Sequence, residues 1–317
     1  MKILLTDAKT ITNNDLDLSP LSALGELELH ELVPQEELAA VIAASHCDAV
    51  LCNKSRIGAA EMDASPNLKY IGVFATGYNN IDVAAAAERG ICVSNAGTYS
   101  SDAVCQTVFS YILAYYSRIA EQNAFVQAGG WKNSPTFSAF VCPTHELAEK
   151  TIGIVGYGSI GKTVARVAHA FGMQVLVTTR TPREDASVSF LPLDRLLASA
   201  DIVTVHCPLT PESAGMFDYA AFCAMKRDAL FINTSRGGTV VEADLRRALE
   251  EEKIGAAAVD VLCTEPMSAD CPLFGAKNLT ITPHSAWAPI ETRRRLLAIV
   301  TDCLRSFLEG APKNKVN

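Results

Sequence analysis

Arg236, Glu265 and His284 each follow a short apolar run: Leu230 to Asn233, Ala256 to Val259, and Leu279 to Thr282. Such runs, bounded by polar residues, read as buried strands. In an open parallel sheet, ligands bind outside the carboxyl ends of the strands. Taken singly, each of the three is an ordinary surface ion pair or capping residue; taken together within one nucleotide fold, they read as a site. Their types suit hydride transfer to a 2-oxo acid. An arginine fork holds a carboxylate and the adjoining carbonyl, a task that lysine's point charge does less well. Histidine, with a reference pKa of about 6.5, can protonate a forming alkoxide and take the proton back in the reverse direction. A glutamate on the other ring nitrogen fixes the tautomer and favours the protonated ring.

A cofactor to supply the hydride is implied by Gly156-Tyr157-Gly158-Ser159-Ile160-Gly161, set between the apolar run Thr151 to Val155 and a helix-like run from Lys162 to Phe171. In such a loop the first glycine permits a tight turn and the second lets the backbone approach phosphate oxygens. The third lets helix and strand pack closely, which aims the helix N-terminus at the anion. A lone GxGxxG is weak; the strand before it and the helix after it strengthen the reading.

The elements that must position these residues alternate along the chain. Ile3 to Leu5, Leu27 to Leu32, Ala49 to Cys52, Tyr70 to Phe74 and Ile91 to Ser94 read as strands, with helices at Gln35 to Ala44, Ala59 to Met62 and Val83 to Arg89 between them. One helix is expected from Ser101 to Ala120, where Val104, Val108, Ile112 and Tyr115 recur at helical spacing. A second αβ series starts at the glycine loop, with further strands at Val175 to Thr178 and Ile202 to Val205 before the three named above. The helix Ile290 to Leu308 is long enough to return to the first series. The expectation is an α/β protein of two doubly wound, Rossmann-like parallel-sheet domains with an interdomain cleft. Residues 1–98 plus 286–317 would bind substrate, and residues 99–285 the dinucleotide.

A formal net charge of −8 and the lack of any Lys/Arg-rich run argue against nucleic acid or anionic lipid as partners. An anionic small substrate needs only a few placed cations and amides. Ten cysteines occur without a CxxC pair, and Cys47, Cys52, Cys92, Cys207 and Cys263 fall in or beside apolar runs where reduced thiols are commonly buried. Clustered metal ligands are lacking, so no metal is expected. The apolar start Met1 to Asp7 is too brief for a signal peptide or membrane span, which gives a cytoplasmic expectation.

The segments "GYGSIG", "HCPLTPES", "NTSRGGTVVE", "AAVDVLCTEP" and "ITPHSAWAP" resemble, in order and spacing, the signatures of the D-isomer-specific 2-hydroxyacid dehydrogenases. "NKSRIGAAEM", "LKYIGVFATGYNNIDV" and "PKNKVN" are similar to the glycerate dehydrogenase and hydroxypyruvate reductase branch. The resemblance implies Arg236 as the substrate-binding cation, Glu265 as the partner of the histidine, and His284 as acid and base. It implies that the amides of Ala75, Thr76 and Gly77 hold the substrate carboxylate. It further places Asp260 near the nicotinamide carboxamide, with Cys207, Pro208 and Thr234 along the dinucleotide; the bland alternative for Asp260 is strand-end capping. Lys54 either adds positive charge near the substrate or is a solvated surface lysine. In related enzymes an arm shapes the pocket and packs on a partner subunit, a role open to Phe137, Phe140 and Trp131; for Trp131 core packing is the expectation. A homodimer follows from the same likeness.

One departure concerns the cofactor. NAD-preferring nucleotide folds carry Asp or Glu about 20 residues beyond the glycine loop to bind the ribose hydroxyls. Here that position is Thr179, followed by Arg180 and shortly by Arg183. No carboxylate is expected there to repel a 2′-phosphate, so the cofactor expectation is NADP or NAD, leaning to NADP. The substrate expectation is a small 2-oxo acid, hydroxypyruvate or glyoxylate first. The rivals are a nucleotide-sensing module like the corepressors on this scaffold, and a dehydrogenase of formate or phosphite.

Overall fold

A computed structural model describes residues 1–181 and 185–317, so Arg183 lies outside the described residues. The chain divides into two compact units, Met1–Ser100 with Ala288–Asn317, and Ser101–Trp287.

The first unit carries strands β1 (Lys2–Leu5), β2 (Glu26–Leu29), β3 (Ala49–Cys52), β4 (Tyr70–Val73) and β5 (Cys92–Ser94), with helices α1 (Ser19–Ser22), α2 (Leu38–Ser45), α3 (Ala59–Asp63) and α4 (Val83–Glu88). All pairings are parallel, in the order β2-β1-β3-β4-β5. Strands β3 and β4 are buried along their whole length, which is why they read as continuous apolar runs rather than as alternation. Leu38 and Ile42 of α2, Met62 of α3 and Ala86 of α4 cover one face with Leu4, Val50, Ile71 and Val93.

The second unit opens with a break that apolar periodicity could not reveal. The expected single helix ends as α5 (Ser101–Ser117), and α6 (Ile119–Gln127) starts afresh after Arg118, whose φ of 50° is left-handed. A left-handed residue cannot continue a right-handed helix. There follow β6 (Thr151–Val155), α7 (Ser159–Ala170), β7 (Gln174–Thr178), β8 (Ser189–Phe190), α8 (Leu193–Ser199), β9 (Ile202–Val205), α9 (Tyr219–Cys223), β10 (Leu230–Asn233), α10 (Glu242–Glu250), β11 (Ala256–Val259) and β12 (Leu279–Ile281). The parallel sheet runs β12-β11-β10-β9-β6-β7-β8. Alternate residues of its central strands serve opposite faces. Ile152, Ile154, Ile202, Leu230 and Ile232 join the layer with α5 and α7, whereas Val155, Val203, Val205 and Phe231 join that with α8 and α10. This is the two-residue period of a sheet covered on both sides.

The last helix, α11 (Ile290–Leu308), belongs to the first unit, where Phe307 packs on Tyr70 with ring centroids 4.9 Å apart. Among the described residues no helix is long and apolar enough to cross a membrane.

Two burial expectations are corrected. Trp131 is 52% exposed, and its indole N–H donates to the Phe137 carbonyl at 3.0 Å instead of entering the core. Phe137 and Phe140 are 90% and 99% exposed. Cys263 is also exposed, because it lies four residues beyond the end of β11 at Val259, in the loop that follows; Cys47, Cys52 and Cys92 are buried.

Candidate active site

In the sheet of the second unit β6 lies between β7 and β9, with Val155 opposite both Thr178 and Val205. Strand order reverses here, and the chain leaves toward opposite sides at this switch point, which opens a crevice beyond the strand ends. A cleft of about 850 Å³ occupies that place, lined by Gly156 to Ser159, Thr179, Arg180, Cys207 and Pro208 among others. Each glycine of the loop has its own reason. Gly156 has φ +100°, and a Cβ there would lie 2.6 Å from the Cys207 nitrogen. At Gly158, the cap of α7, a Cβ would meet nothing within 4 Å, so the approach to the first amides of the helix is open. At Gly161 a Cβ would lie 2.2 Å from the Gly156 carbonyl oxygen, so only glycine lets α7 pack this closely. Ile160 packs against the core from within α7 and does not line the cleft.

Among the described residues two buried polar atoms at strand ends of this unit have no protein partner: His206 Nδ1, which lines the cleft, and Thr234 Oγ1, just past β10. Buried polar groups are almost always satisfied. The His206 orphan, in a cleft with an open helix N-terminus and a glycine cradle, fits a nicotinamide dinucleotide, whose phosphates the first amides of α7 would hold. His206 has its Nε2 3.0 Å from the Thr204 hydroxyl. Burial pushes its pKa down to about 3.

That histidine is a liability in acid. Unfolded, it takes up a proton below about pH 6.5, whereas the folded chain resists protonation down to about pH 3. Its contribution is complete above pH 6.5 and is lost as pH falls. At about 1.36 kcal/mol per unit, lowering the pH from 7.5 to 5 costs about 2 kcal/mol through this group. His206→Gln should lack that loss in paired melts at the two pH values; equal losses would show that the ring is not held neutral.

The second cluster forms at the ends of β10, β11 and β12. Asn233, the 1% exposed last residue of β10, pins the Arg236 turn. Its Oδ1 accepts from Ser235 N at 3.0 Å, and its Nδ2 donates to the Arg236 carbonyl at 3.0 Å. The arginine side chain is exposed, with Nη1 donating to the Ser235 carbonyl at 2.7 Å. After β11, Glu265 Oε1 accepts from Leu262 N at 2.9 Å and Oε2 lies 2.6 Å from His284 Nδ1. With Nδ1 thus engaged, Nε2 is the ring nitrogen that can face a reacting oxygen.

His284 has a left-handed backbone, φ 52°, which costs of order 1 kcal/mol or more in a non-glycine residue. Asp260 holds that turn. Its carbonyl accepts from His284 N at 2.8 Å, Oδ1 from Ser285 N at 2.9 Å, and Oδ2 from Ala286 N at 2.9 Å. The Thr282 hydroxyl also donates to Oδ1 and is itself hydrogen-bonded to the Tyr111 hydroxyl of α5. Asp260 is 2% exposed, so its carboxylate supports the histidine turn, close to the strand-end capping alternative.

In the first unit Lys54 follows β3 and Asp7 follows β1, at that sheet's own switch point. The buried Asp7 carboxylate accepts from Asn53 N at 2.9 Å, Lys54 N at 2.6 Å and Ser55 N at 2.9 Å, fixing the turn that carries Lys54. Ala75, Thr76 and Gly77 lie just past β4, where the Ala75 carbonyl accepts from Ala96 N at 3.0 Å and the Thr76 carbonyl from Asn95 Nδ2 at 2.7 Å.

Sequence reasoning passed over Asn233, Tyr111, Thr282 and His206. For Asn233 the signal was present, a polar residue closing a strand that is otherwise fully apolar. It also missed an acid in the cleft: Glu212, from the loop after β9, lines it together with Thr179 and Arg180. The expectation concerned only the position of Thr179; this acid comes from a separate loop far along the chain.

Known proteins are similar to this chain in sequence and in fold. The family profile of the D-isomer specific 2-hydroxyacid dehydrogenase NAD-binding domain matches residues 109–286. The hydroxypyruvate reductase of Blautia hydrogenotrophica is 38% identical with 100% of each chain covered. The glycerate dehydrogenase of Methylorubrum extorquens is 37% identical over 84% of each. The NADPH-dependent glyoxylate/hydroxypyruvate reductase of Sinorhizobium meliloti, solved with NADP and malonate, superimposes with a TM-score of 0.82 at 27% identity, covering 99% of this chain and 96% of that one. The chain belongs to the D-isomer specific 2-hydroxyacid dehydrogenase family. It is an oxidoreductase that uses a nicotinamide cofactor.

Proposed function

We propose that this enzyme reduces hydroxypyruvate to D-glycerate or glyoxylate to glycolate, reversibly, and accepts NADPH at least as well as NADH. The observation that carries the reading is the 2.6 Å contact of His284 Nδ1 with Glu265, past the ends of β12 and β11, with Arg236 past the end of the neighbouring β10. The hydride comes from the nicotinamide when the dinucleotide is bound. Arg236 forks onto the carboxylate and the adjoining carbonyl oxygen. His284 delivers a proton from Nε2 to that oxygen as it becomes an alkoxide, and Glu265 balances the charge of the doubly protonated ring. Lys54 and the amides of Ala75 to Gly77 are proposed as further groups for the substrate carboxylate.

Thr179 and Arg180 support the cofactor leaning. A threonine does not repel a 2′-phosphate, and an arginine can fork onto it, a charge-assisted contact worth roughly 1.5 to 3 kcal/mol. The Sinorhizobium relative, described as NADPH-dependent, points the same way. A homodimer is supported by the exposed aromatics Trp131, Phe137 and Phe140, and a reducing cytoplasm by ten free cysteines. The alternative of a corepressor-like sensor, or of formate or phosphite oxidation, is not favoured by relatives named as reductases of 2-oxo acids.

Initial rates with NADPH and NADH against glyoxylate, hydroxypyruvate, pyruvate and a bulkier 2-oxo acid test the proposal. The expected result is the highest kcat/KM with hydroxypyruvate or glyoxylate, and NADPH no worse than NADH. Best turnover of a bulky 2-oxo acid, or none of any, would overturn the substrate assignment.

A further inference from the structure

Three charged side chains line the dinucleotide cleft among the described residues, Lys162, Arg180 and Glu212. They come from separate parts of the chain. Lys162 stands in α7, Arg180 just beyond β7, and Glu212 in the loop after β9. Because β6 separates β7 from β9 in the sheet, Arg180 and Glu212 flank the glycine loop from its two sides. Thr179 and Thr181 line the cleft next to Arg180, and Thr210 and Ser213 next to Glu212.

We propose that Glu212 is the acidic half of the cofactor-specificity site: it opposes the 2′-phosphate that Arg180 attracts, and the two side chains together set the ratio of NADPH to NADH affinity. The inference rests on the dinucleotide reading of the cleft given above. A ribose 2′,3′-diol brings two hydroxyl donors, which a carboxylate can accept. A 2′-phosphate brings only acceptors and nearly two negative charges, so the same carboxylate repels it. Arginine has the opposite preference. Among the described residues Thr179, Arg180 and Thr181, which directly follow β7, there is no acid, and Glu212 supplies one from across the loop.

Glu212 is ionised for local reasons. The Thr210 hydroxyl, its own backbone amide and then the positive field of Arg180 all hold its carboxyl below the usual carboxylate range. Arg180 and Glu212 line the same cleft, so one bound ligand meets both charges. Asp185, the nearest other acid tied to the glycine loop, has its oxygens engaged by the Tyr157 hydroxyl at 2.7 Å and by Ser187 N at 3.0 Å.

The test is equilibrium binding, without turnover. NADPH and NADH are titrated separately, by calorimetry, into the purified protein, into Glu212→Gln and into Arg180→Gln, each at low and high salt. The ratio Kd(NADH)/Kd(NADPH) should rise about three- to tenfold in Glu212→Gln and fall by a similar factor in Arg180→Gln, with both shifts shrinking at high salt. Both side chains are exposed, so the variants should fold. A ratio that stays within about twofold of the starting protein in Glu212→Gln, or falls, overturns the inference. The leaning toward NADPH fails separately, as a ratio below one in the unsubstituted protein. Binding of neither dinucleotide would overturn the reading of the cleft and this inference with it.

Discussion

His284→Ala should lower kcat for 2-oxo acid reduction by about 10²- to 10⁴-fold, the usual worth of a positioned general acid, while the affinity for the dinucleotide stays near its starting value. The side chain meets Glu265 through Nδ1 and takes no part in the glycine loop. Alanine at φ 52° is strained, so His284→Asn is the better-folded companion, since asparagine tolerates left-handed backbone. Both variants should be equally inactive, and near-normal kcat in either would remove His284 from the chemistry.

Glu265→Gln makes the contrast. The glutamate accepts twice, from Leu262 N at one oxygen and from the imidazole at the other. Glutamine has a single acceptor oxygen. It must either abandon Leu262 or turn its NH₂ toward Nδ1, and both choices disfavour the doubly protonated ring. The kcat of reduction should therefore fall, by less than in His284→Ala, while the affinity for the dinucleotide stays near its starting value. An unchanged kcat would show the pair to be structural.

Much of this site was legible because buried parallel strands announce themselves. Strands β6, β9, β10 and β11 are apolar runs of four or five residues, and a sheet covered on both faces demands such runs. Once the strand ends are placed, the polar residues that follow them become candidates, which is how Arg236, Glu265 and His284 could be chosen. What stayed hidden depends on contacts between parts of the chain far apart in sequence. Glu212 reaches the cleft of Thr179 only because β9 lies two strands from β7. Asp260 reads as a ligand contact only through the family likeness and otherwise as a strand-end cap, and the bonds to Ser285 N and Ala286 N favour the cap. The break at Arg118 leaves no trace in the apolar periodicity, whose last member, Tyr115, stands before it. Trp131 looked like core because large aromatics usually are, but α6, just before it, buries no residue at all.

Two adjacent glycines give the sharpest test of how closely the catalytic loops are packed. At Gly237 a Cβ would lie 1.9 Å from the carbonyl carbon of Leu262 and 2.4 Å from Cys263 N, whereas at Gly238 it would lie 3.0 Å from Leu209 Cδ2. Neither glycine needs the left-handed region, so a difference between them reports packing and not φ. The obstacle at Gly237 is backbone, and it is the backbone of the loop that carries Glu265. Gly237→Ala must therefore push the Arg236 turn and the Glu265 loop apart by about 1 Å, a displacement that can cost about 10² in rate. Overpacking of this kind also destabilises by about 1 to 3 kcal/mol. At Gly238 the obstacle is the tip of a side chain that is 42% exposed and can rotate away, so Gly238→Ala should stay close to the unsubstituted enzyme in both rate and melting temperature. Steady-state kinetics and thermal melts of the two variants side by side decide the matter. Equal behaviour would mean that the contact between the two loops does not hold Arg236 and Glu265 in place.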